Sequence, residues 1–485
     1  VQHFKTFKMK NIKYIALVLL VLISTSSCKK FLDVNPRTET EKGVLLASES
    51  GFKDALTGVY TQMEEDQAYG KAMTMTTMEH LVSSWDVTAN STEEQLGVFN
   101  YGDARVEFAL GGIYSQQYKV IAGINSILGQ IDAKKDVFSP GMYEMIKGEC
   151  LALRAYCHFD VLRLFGPVPT TPGVGNQLPY VQVVSKTPNA AISYEAFKAA
   201  LLKDLADAEA LQKEVDPFTK YSISDFKTGV YKPENDFVNY RYLRMNYYAV
   251  KALQARAYLW FNDQPKAYEC AKVLIDAKNT DDQAKFRLGI SSDMAAGDYV
   301  LTPEHIFGLY DFKMYTKYNP TTGIGVLKKG SDGGTIIKTL LYGNTGTDIR
   351  EANLWETFVQ SSVTSYILRK YKAVETPVNL ATDFKQIPML RISEMYLIAI
   401  ETAAPAEAQS LWTAFRSARN LTSTTLPADP ALRQLEIIKE YRKEFYGEGQ
   451  AFFAYKRVNA TKANIIFVPS GAIVDYMPPK PKTEI

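Results

Sequence analysis

Seven aromatic residues, Tyr69, Trp85, Phe99, Tyr101, Tyr310, Tyr315 and Tyr318, stand in irregular stretches among Asn, Asp, Ser and Gly. An aromatic face covers the apolar C–H side of a sugar ring while neighbouring amides and carboxylates take its hydroxyls. The combination therefore predicts candidate ligand-binding residues of a carbohydrate site. They are drawn from 30 tyrosines, 24 phenylalanines and 4 tryptophans, most of which fall at helical spacing and read as packing. Catalytic patterns are sparse. The histidines, His3, His80, His158 and His305, form no HExxH pattern, and no GxSxG occurs. Gly325-x4-Gly330-Ser331 echoes a phosphate loop but lacks its lysine. Glu64-Glu65-Asp66 and Glu93-Glu94 offer carboxylates of the kind glycoside hydrolysis uses, yet adjacency in sequence says nothing of the gap across a substrate. A solvated acidic face is the simpler reading. No catalytic residue, metal or cofactor is expected.

Cys28 follows a basic stretch, Lys10-Asn11-Ile12-Lys13, an apolar run from Tyr14 to Ile23, and Ser24-Thr25-Ser26-Ser27. The run is too short to span a bilayer, which takes roughly 20 residues, and has the order of a secretory signal. A cysteine at the cleavage point predicts a lipoprotein: residues 1–27 are the signal peptide, Met9 is the natural start, and Cys28 takes a lipid. Each buried acyl methylene contributes about 0.8 kcal/mol, so several chains would hold a soluble body on a membrane. The net charge of +2 includes the leader lysines Lys5, Lys8, Lys10 and Lys13, which leaves −2 from Cys28 onward. That balance carries no electrostatic footprint for nucleic acid. Cys150, Cys157 and Cys270 have no CxxC spacing. The first two lie about 10.5 Å apart along one predicted helix, beyond disulfide reach, and all three read as buried small hydrophobes.

The elements that must position these groups are helices. Ile146, Cys150, Leu153, Cys157, Val161 and Leu164 form one stripe and predict a helix over 142–165, with Pro140-Gly141 before it and Gly166-Pro167 ending it through a left-handed cap. Tyr118, Ile121, Ile124 and Leu128 predict its antiparallel neighbour. Residues 245–277 read as a helix pair broken at Asn262-Asp263-Gln264-Pro265. Ala255, Tyr258, Ala267 and Ala271 fall at the offsets of the tetratricopeptide repeat of about 34 residues. A weaker copy spans 389–415, with Ala404-Pro405 at its turn. Such pairs stack into a short, curved scaffold. Two tracts, 80–112 and 289–344, resist helical periodicity and read as an irregular functional face.

Beyond these features, several motifs make the chain resemble the SusD/RagB family of outer-membrane nutrient-uptake lipoproteins of Bacteroidetes. The resemblance rests on Cys28-Lys29-Lys30-Phe31-Leu32-Asp33-Val34-Asn35-Pro36; on Glu149, Arg154-Ala155-Tyr156, His158-Phe159 and 163–169; on 391–397 with Ala399-Ile400-Glu401; on 440–445 and Tyr455-Lys456-Arg457; and on 478–485. Gln450 and Ala454 depart from the family's Arg and Asp, a change expected to remove an internal ion pair and to leave the substrate class open. The resemblance implies an all-α fold of tetratricopeptide-like helix pairs with a large irregular loop face. It implies an N-terminal region over 28–230 and a C-terminal region over 231–485 within one compact body. It further implies a non-enzymatic, lipid-anchored protein on the outer membrane at the cell surface. Its partners would be an oligosaccharide or polysaccharide and a SusC-like TonB-dependent barrel transporter that imports the ligand. Arg154, Arg391 and Arg457 are expected to be structural, each satisfying several helix-end carbonyls. A surface glycoside hydrolase and a tetratricopeptide-type protein- or peptide-binding adaptor are the alternatives.

Overall fold

A computed structural model describes residues 44–231, 236–319, 324–330, 334–372 and 385–482. Cys28, the whole leader and the 28–36 motif lie outside the described residues, as do Ser331 and the last three residues of the 478–485 motif. The body of the protein is the compact unit Ser48–Ile485.

The described residues are 54% helical, and strands among them occur only as three two-stranded antiparallel ribbons. In order, the main elements are α1 (Glu49–Met63), α2 (Ala104–Ile131), α3 (Met142–Phe165), β1 (Asn176–Leu178), β2 (Ile192–Ser193) and α4 (Tyr194–Gln212). Then come α5 (Tyr247–Trp260), α6 (Gln264–Ile275), β3 (His305–Tyr310), β4 (Trp355–Gln360), β5 (Val363–Leu368) and β6 (Gln386–Arg391). The chain finishes with α7 (Ile392–Thr402), α8 (Pro405–Ala418), α9 (Pro430–Glu444) and α10 (Ala451–Arg457). Helix starts follow the local chemistry. Ser48, Asp103, Ser193, Asn246 and Asp263 each accept from a backbone N–H of the first turn, and Pro405 and Pro430 occupy first-turn positions where no N–H is needed. Consecutive helices pack in series, α2 on α3, α3 on α4, α5 on α6, α6 on α7 and α7 on α8, which is the helix-pair scaffold that the small-residue spacing predicts.

Helix α3 has the predicted bounds but a different surface. Instead of one buried stripe, every residue from Gly148 to Phe165 is buried. The polar ones survive because other elements bring partners to them. Asp204 of α4 accepts two bonds of 2.7 Å from Arg154. Asp160 accepts from Arg163 and, at 2.8 Å, from Tyr69. Glu149 accepts from Tyr60, Arg241 and Arg244. Breaking such a buried pair costs about 3–5 kcal/mol, so these charges fix how α3 docks. Gly166 is extended rather than left-handed, at φ −79 and ψ 179. Glycine is needed there for closeness, since a Cβ would stand 2.5 Å from the Leu162 carbonyl oxygen. The terminal carbonyls of Leu164 and Gly166 accept instead from the buried ammonium of Lys456, at 2.9 and 2.7 Å.

The irregular tracts hold more structure than their composition suggests. The tract 80–112 contains a short helix, Thr92–Gly97, and the first two turns of α2. Gly111-Gly112 sit inside α2, where a Cβ on Gly112 would meet the Gln67 side-chain oxygen at 2.6 Å. The tract 289–344 supplies β3, which pairs with β6. Residues 389–391, which the sequence reading places at the start of a helix, are the end of β6, which is buried along its length. A second apolar core lies here, built around Trp85, Tyr342, Trp355, Tyr366 and Tyr446.

The arginines are structural but bind carboxylates more than carbonyls. Arg391 donates to Glu304, Glu444 and Glu448 and to a single carbonyl, that of Glu444. Arg457 is paired with Glu401, and Arg154 adds only the Gln182 carbonyl to Asp204 and Asn125. Arg419 and Arg350 share Glu444 with Arg391, so one buried network ties α8 and α9 to the strands. The free cysteines Cys150, Cys157 and Cys270 are buried.

Candidate functional site

The turn at the C-terminal end of α1 and the segment before α5 meet over the end of β3. Thr57, Tyr60, Thr61 and Glu64 recur at three- and four-residue spacing and share one face of α1 and its cap. They line a cleft of about 550 Å3 with Tyr240, Arg244 and Tyr310. A neighbouring hollow of about 420 Å3 shares Thr61 and Glu64 and continues past Asp66, Lys313 and Lys317. Tyr240 is 56% exposed and Tyr310 36% exposed, so both keep ring surface free for a ligand. The hydroxyls of Thr57 and Thr61 donate to the carbonyls four residues back, which leaves each oxygen with acceptor capacity only.

Arg244 is held from three sides. Its Nε donates to Glu149 at 3.1 Å. Its guanidinium lies 4.8 Å from the Tyr60 ring centroid and 3.8 Å from that of Phe237. The Asn246 amide donates to the carbonyls of Arg241, Arg244 and Ile306, which fastens this segment to β3. At the other end of the cleft, burial and the adjacent Asp311 carboxylate push the Glu64 carboxyl up to about 7, against the lowering pull of Lys317 and Lys313. Asp311 itself is buried and bonded to Lys317. The cleft thus offers two aromatic faces, hydroxyl acceptors, a rigid cation and a carboxyl that exchanges its proton near neutrality.

Of the seven predicted aromatic residues, the structure brings Tyr310 to this cleft, and Tyr315, 48% exposed, lies on the adjoining 313–317 turn. Four others are corrected. Tyr69 and Trp85 are 2% and 3% exposed, and Phe99 and Tyr318 are also buried, so none presents a ring face to a ligand. Tyr69 donates to Asp160, Trp85 donates to the Met75 carbonyl at 2.8 Å and packs on Trp355 and Tyr446, and Tyr318 donates to Glu356. Tyr101 is half-buried, donates to the Asp475 carbonyl at 2.7 Å and packs edge-on against Phe99. Thr57, Tyr60, Thr61, Tyr240 and Arg244 are not among the residues that the sequence singles out. The spacing of the first three with Glu64 is a usable signal, whereas nothing local marks Tyr240 or Arg244. Among the described residues no cluster of His, Cys, Asp and Glu is arranged to hold a metal ion, and no helix is long and apolar enough to cross a membrane.

Residues 30–217 match the SusD-like_3 family, described as starch-binding and associating with the outer membrane. That match takes in about two fifths of the chain, and over it the sequence is similar to the SusD-like family. SusD-like protein P25 of Formosa agariphila is 24% identical over 172 residues, covering 33% of this chain and 31% of that protein, so the match spans about a third of the relative's length. The SusD-like fold extends over the body. A SusD homolog from Bacteroides thetaiotaomicron superposes with a TM-score of 0.65 at 17% identity, covering 88% of this chain and 90% of its own. A SusD superfamily protein from Bacteroides vulgatus gives 0.63 at 22%, covering 85% and 88%. A laminarin-binding SusD-like protein gives 0.61 at 17%, covering 90% and 97%.

Proposed function

We propose that this SusD-like chain is a lipid-anchored, cell-surface protein of the outer membrane that captures an oligosaccharide and passes it to a SusC-like TonB-dependent barrel. The observation that carries the ligand class is the cleft between α1, β3 and the 240–244 segment, with exposed Tyr240 and Tyr310 beside hydroxyl and charged groups. Laminarin binding by a structural neighbour agrees with a saccharide ligand. Capture rather than cleavage is supported by the carboxyls. Asp311 adjoins Glu64 closely enough to raise its carboxyl, whereas glycoside hydrolysis separates its two carboxyls by about 5–9.5 Å across the sugar.

Few rings and hydrogen bonds are available and a flexible glycan loses freedom on binding, so affinity is expected in the micromolar range or weaker. A glycan array followed by titration calorimetry tests the reading. Tyr240→Ala and Tyr310→Ala should each weaken the best ligand about tenfold, equivalent to about 1.4 kcal/mol. Failure to bind any saccharide sinks the capture reading, and release of shortened sugars by the pure protein replaces it with hydrolysis. Mass spectrometry of the native protein should find acylated Cys28; a free thiol there removes the anchor.

A further inference from the structure

Arg244 has more hydrogen-bonding capacity than the protein uses. A guanidinium carries five N–H donors, and here the Nε donor alone has an acceptor, Glu149. Neither terminal nitrogen has one among the described residues, and one of the two, Nη2, is buried without a partner although the side chain as a whole keeps some exposure. The group is nevertheless rigid, clasped between the rings of Tyr60 and Phe237 and tied through Nε. A buried polar atom without a partner costs about 1–3 kcal/mol, more when charged, so its persistence in a ligand-sized cleft calls for an acceptor from outside. The charges around it balance, Arg241 and Arg244 against Glu149 and Asp216, so the call for an acceptor comes from the unused donors and not from an excess of positive charge. The other charged group lining the cleft is Glu64, whose burial beside Asp311 disfavours its ionised form. In the adjoining hollow, Lys71, Lys313 and Lys317 stand against Glu65, Asp66 and the buried Asp311 that Lys317 holds.

We infer that this cleft selects an anionic saccharide, and that the terminal nitrogens of Arg244 bind a carboxylate or sulfate oxyanion carried on the sugar that Tyr240 and Tyr310 cover. Planar guanidinium meets two oxygens of such a group with parallel bonds, a geometry that adds specificity as well as strength. A neutral sugar hydroxyl engages the same nitrogens only one oxygen at a time. The inference rests on the saccharide-capture reading and names its substrate class.

Calorimetry on the full chain at low salt decides it, with trigalacturonate, its neutral methyl ester, a galactose-6-sulfate trisaccharide and the desulfated trisaccharide as probes. At least one charged probe should bind about tenfold or more tightly than its neutral counterpart; which one does so tells carboxylate from sulfate. In Arg244→Gln that ratio should fall to about one, and in Arg244→Lys, which keeps the charge but not the fork, to an intermediate value. Charged and neutral probes of equal affinity, both lost in Tyr310→Ala, overturn the inference and leave capture standing. A preference that survives Arg244→Gln also overturns it. Binding of no saccharide overturns both readings. Should Arg244→Gln fail to fold, the wild-type ratio and the Arg244→Lys ratio still separate the outcomes.

Discussion

Trp85 and Tyr310 occur in similar sequence surroundings, yet one is core and the other is surface. Trp85 spends its indole N–H on the Met75 carbonyl and packs its ring tilted against Trp355 and at an edge with Tyr446. Its replacement by alanine should cost about 3–5 kcal/mol in urea denaturation, as for a large side chain removed from a core. Tyr310 ends β3 with its ring partly exposed, so Tyr310→Ala should stay within about 1 kcal/mol of wild type while losing ligand. If both variants unfold at wild-type urea concentrations, the second core around Trp85 is not cooperative with the rest. Arg419 belongs to the same scale. Its donors are divided among Glu304, Glu444 and the Gly289 carbonyl, and all three residues that carry charge are buried. Arg419→Met leaves Glu304 and Glu444 under-compensated and should cost about 3–5 kcal/mol. A loss below about 1 kcal/mol would show that Arg391 and Arg350 suffice for the network.

Among the elements, the connection between α9 and α10 does the most with the fewest residues. Gly447 and Gly449 are both left-handed, at φ +76 and +69, and both backbone N–H groups donate to the Glu79 carboxyl. A Cβ on Gly449 would stand 2.1 Å from the Met73 carbonyl oxygen. Gly449→Ala combines the left-handed penalty of about 1–2 kcal/mol with overpacking of about 1–3 kcal/mol. A melting scan should place it well below wild type. An unchanged midpoint would mean that the 73–79 turn can shift without cost. The family resemblance marks this loop for what it lacks at Gln450 and Ala454. In the structure Gln450 accepts from Arg163 at 3.1 Å, and the Phe453 ring lies 3.9 Å from the same guanidinium.

Across the whole molecule, buried ionisable groups pull stability in opposite directions with pH. Burial pushes Glu79 up to about 7 despite hydrogen bonds from Ser84, Gly449 and Gly447 and the nearby Lys370. An acid raised on folding contributes stability that is full below its unfolded value and is lost as pH rises through the folded one. Between about pH 4.5 and 7 this group should therefore cost about 3 kcal/mol. The histidines act the other way. Burial lowers His80 to about 4 and His158 to about 3, so their contribution is full above about 6.5 and is lost on acidification. Urea denaturation from about pH 4 to 8 should show Glu79→Gln gaining on wild type as pH rises from about 5 to 7, while both share the acid limb set by the imidazoles. Parallel curves for the two proteins would mean that the Glu79 carboxyl is ionised throughout.

Periodicity determined the bounds of α3, the α5–α6 pair and the α7–α8 turn, because helix ends answer to local caps, prolines and glycines. Motif residues likewise carried the family resemblance, and Arg154, Arg391 and Arg457 are each held by a carboxylate from another element, Asp204, Glu444 and Glu401. The cleft was decided only in three dimensions. Tyr240 and Arg244 reach Thr57 and Glu64 because α1 and the segment before α5 both pack near β3, and no local pattern encodes that meeting. Which aromatic faces stay open was settled the same way: a ring in a loop is buried or bare according to what distant chain lies over it, and composition carries no record of that.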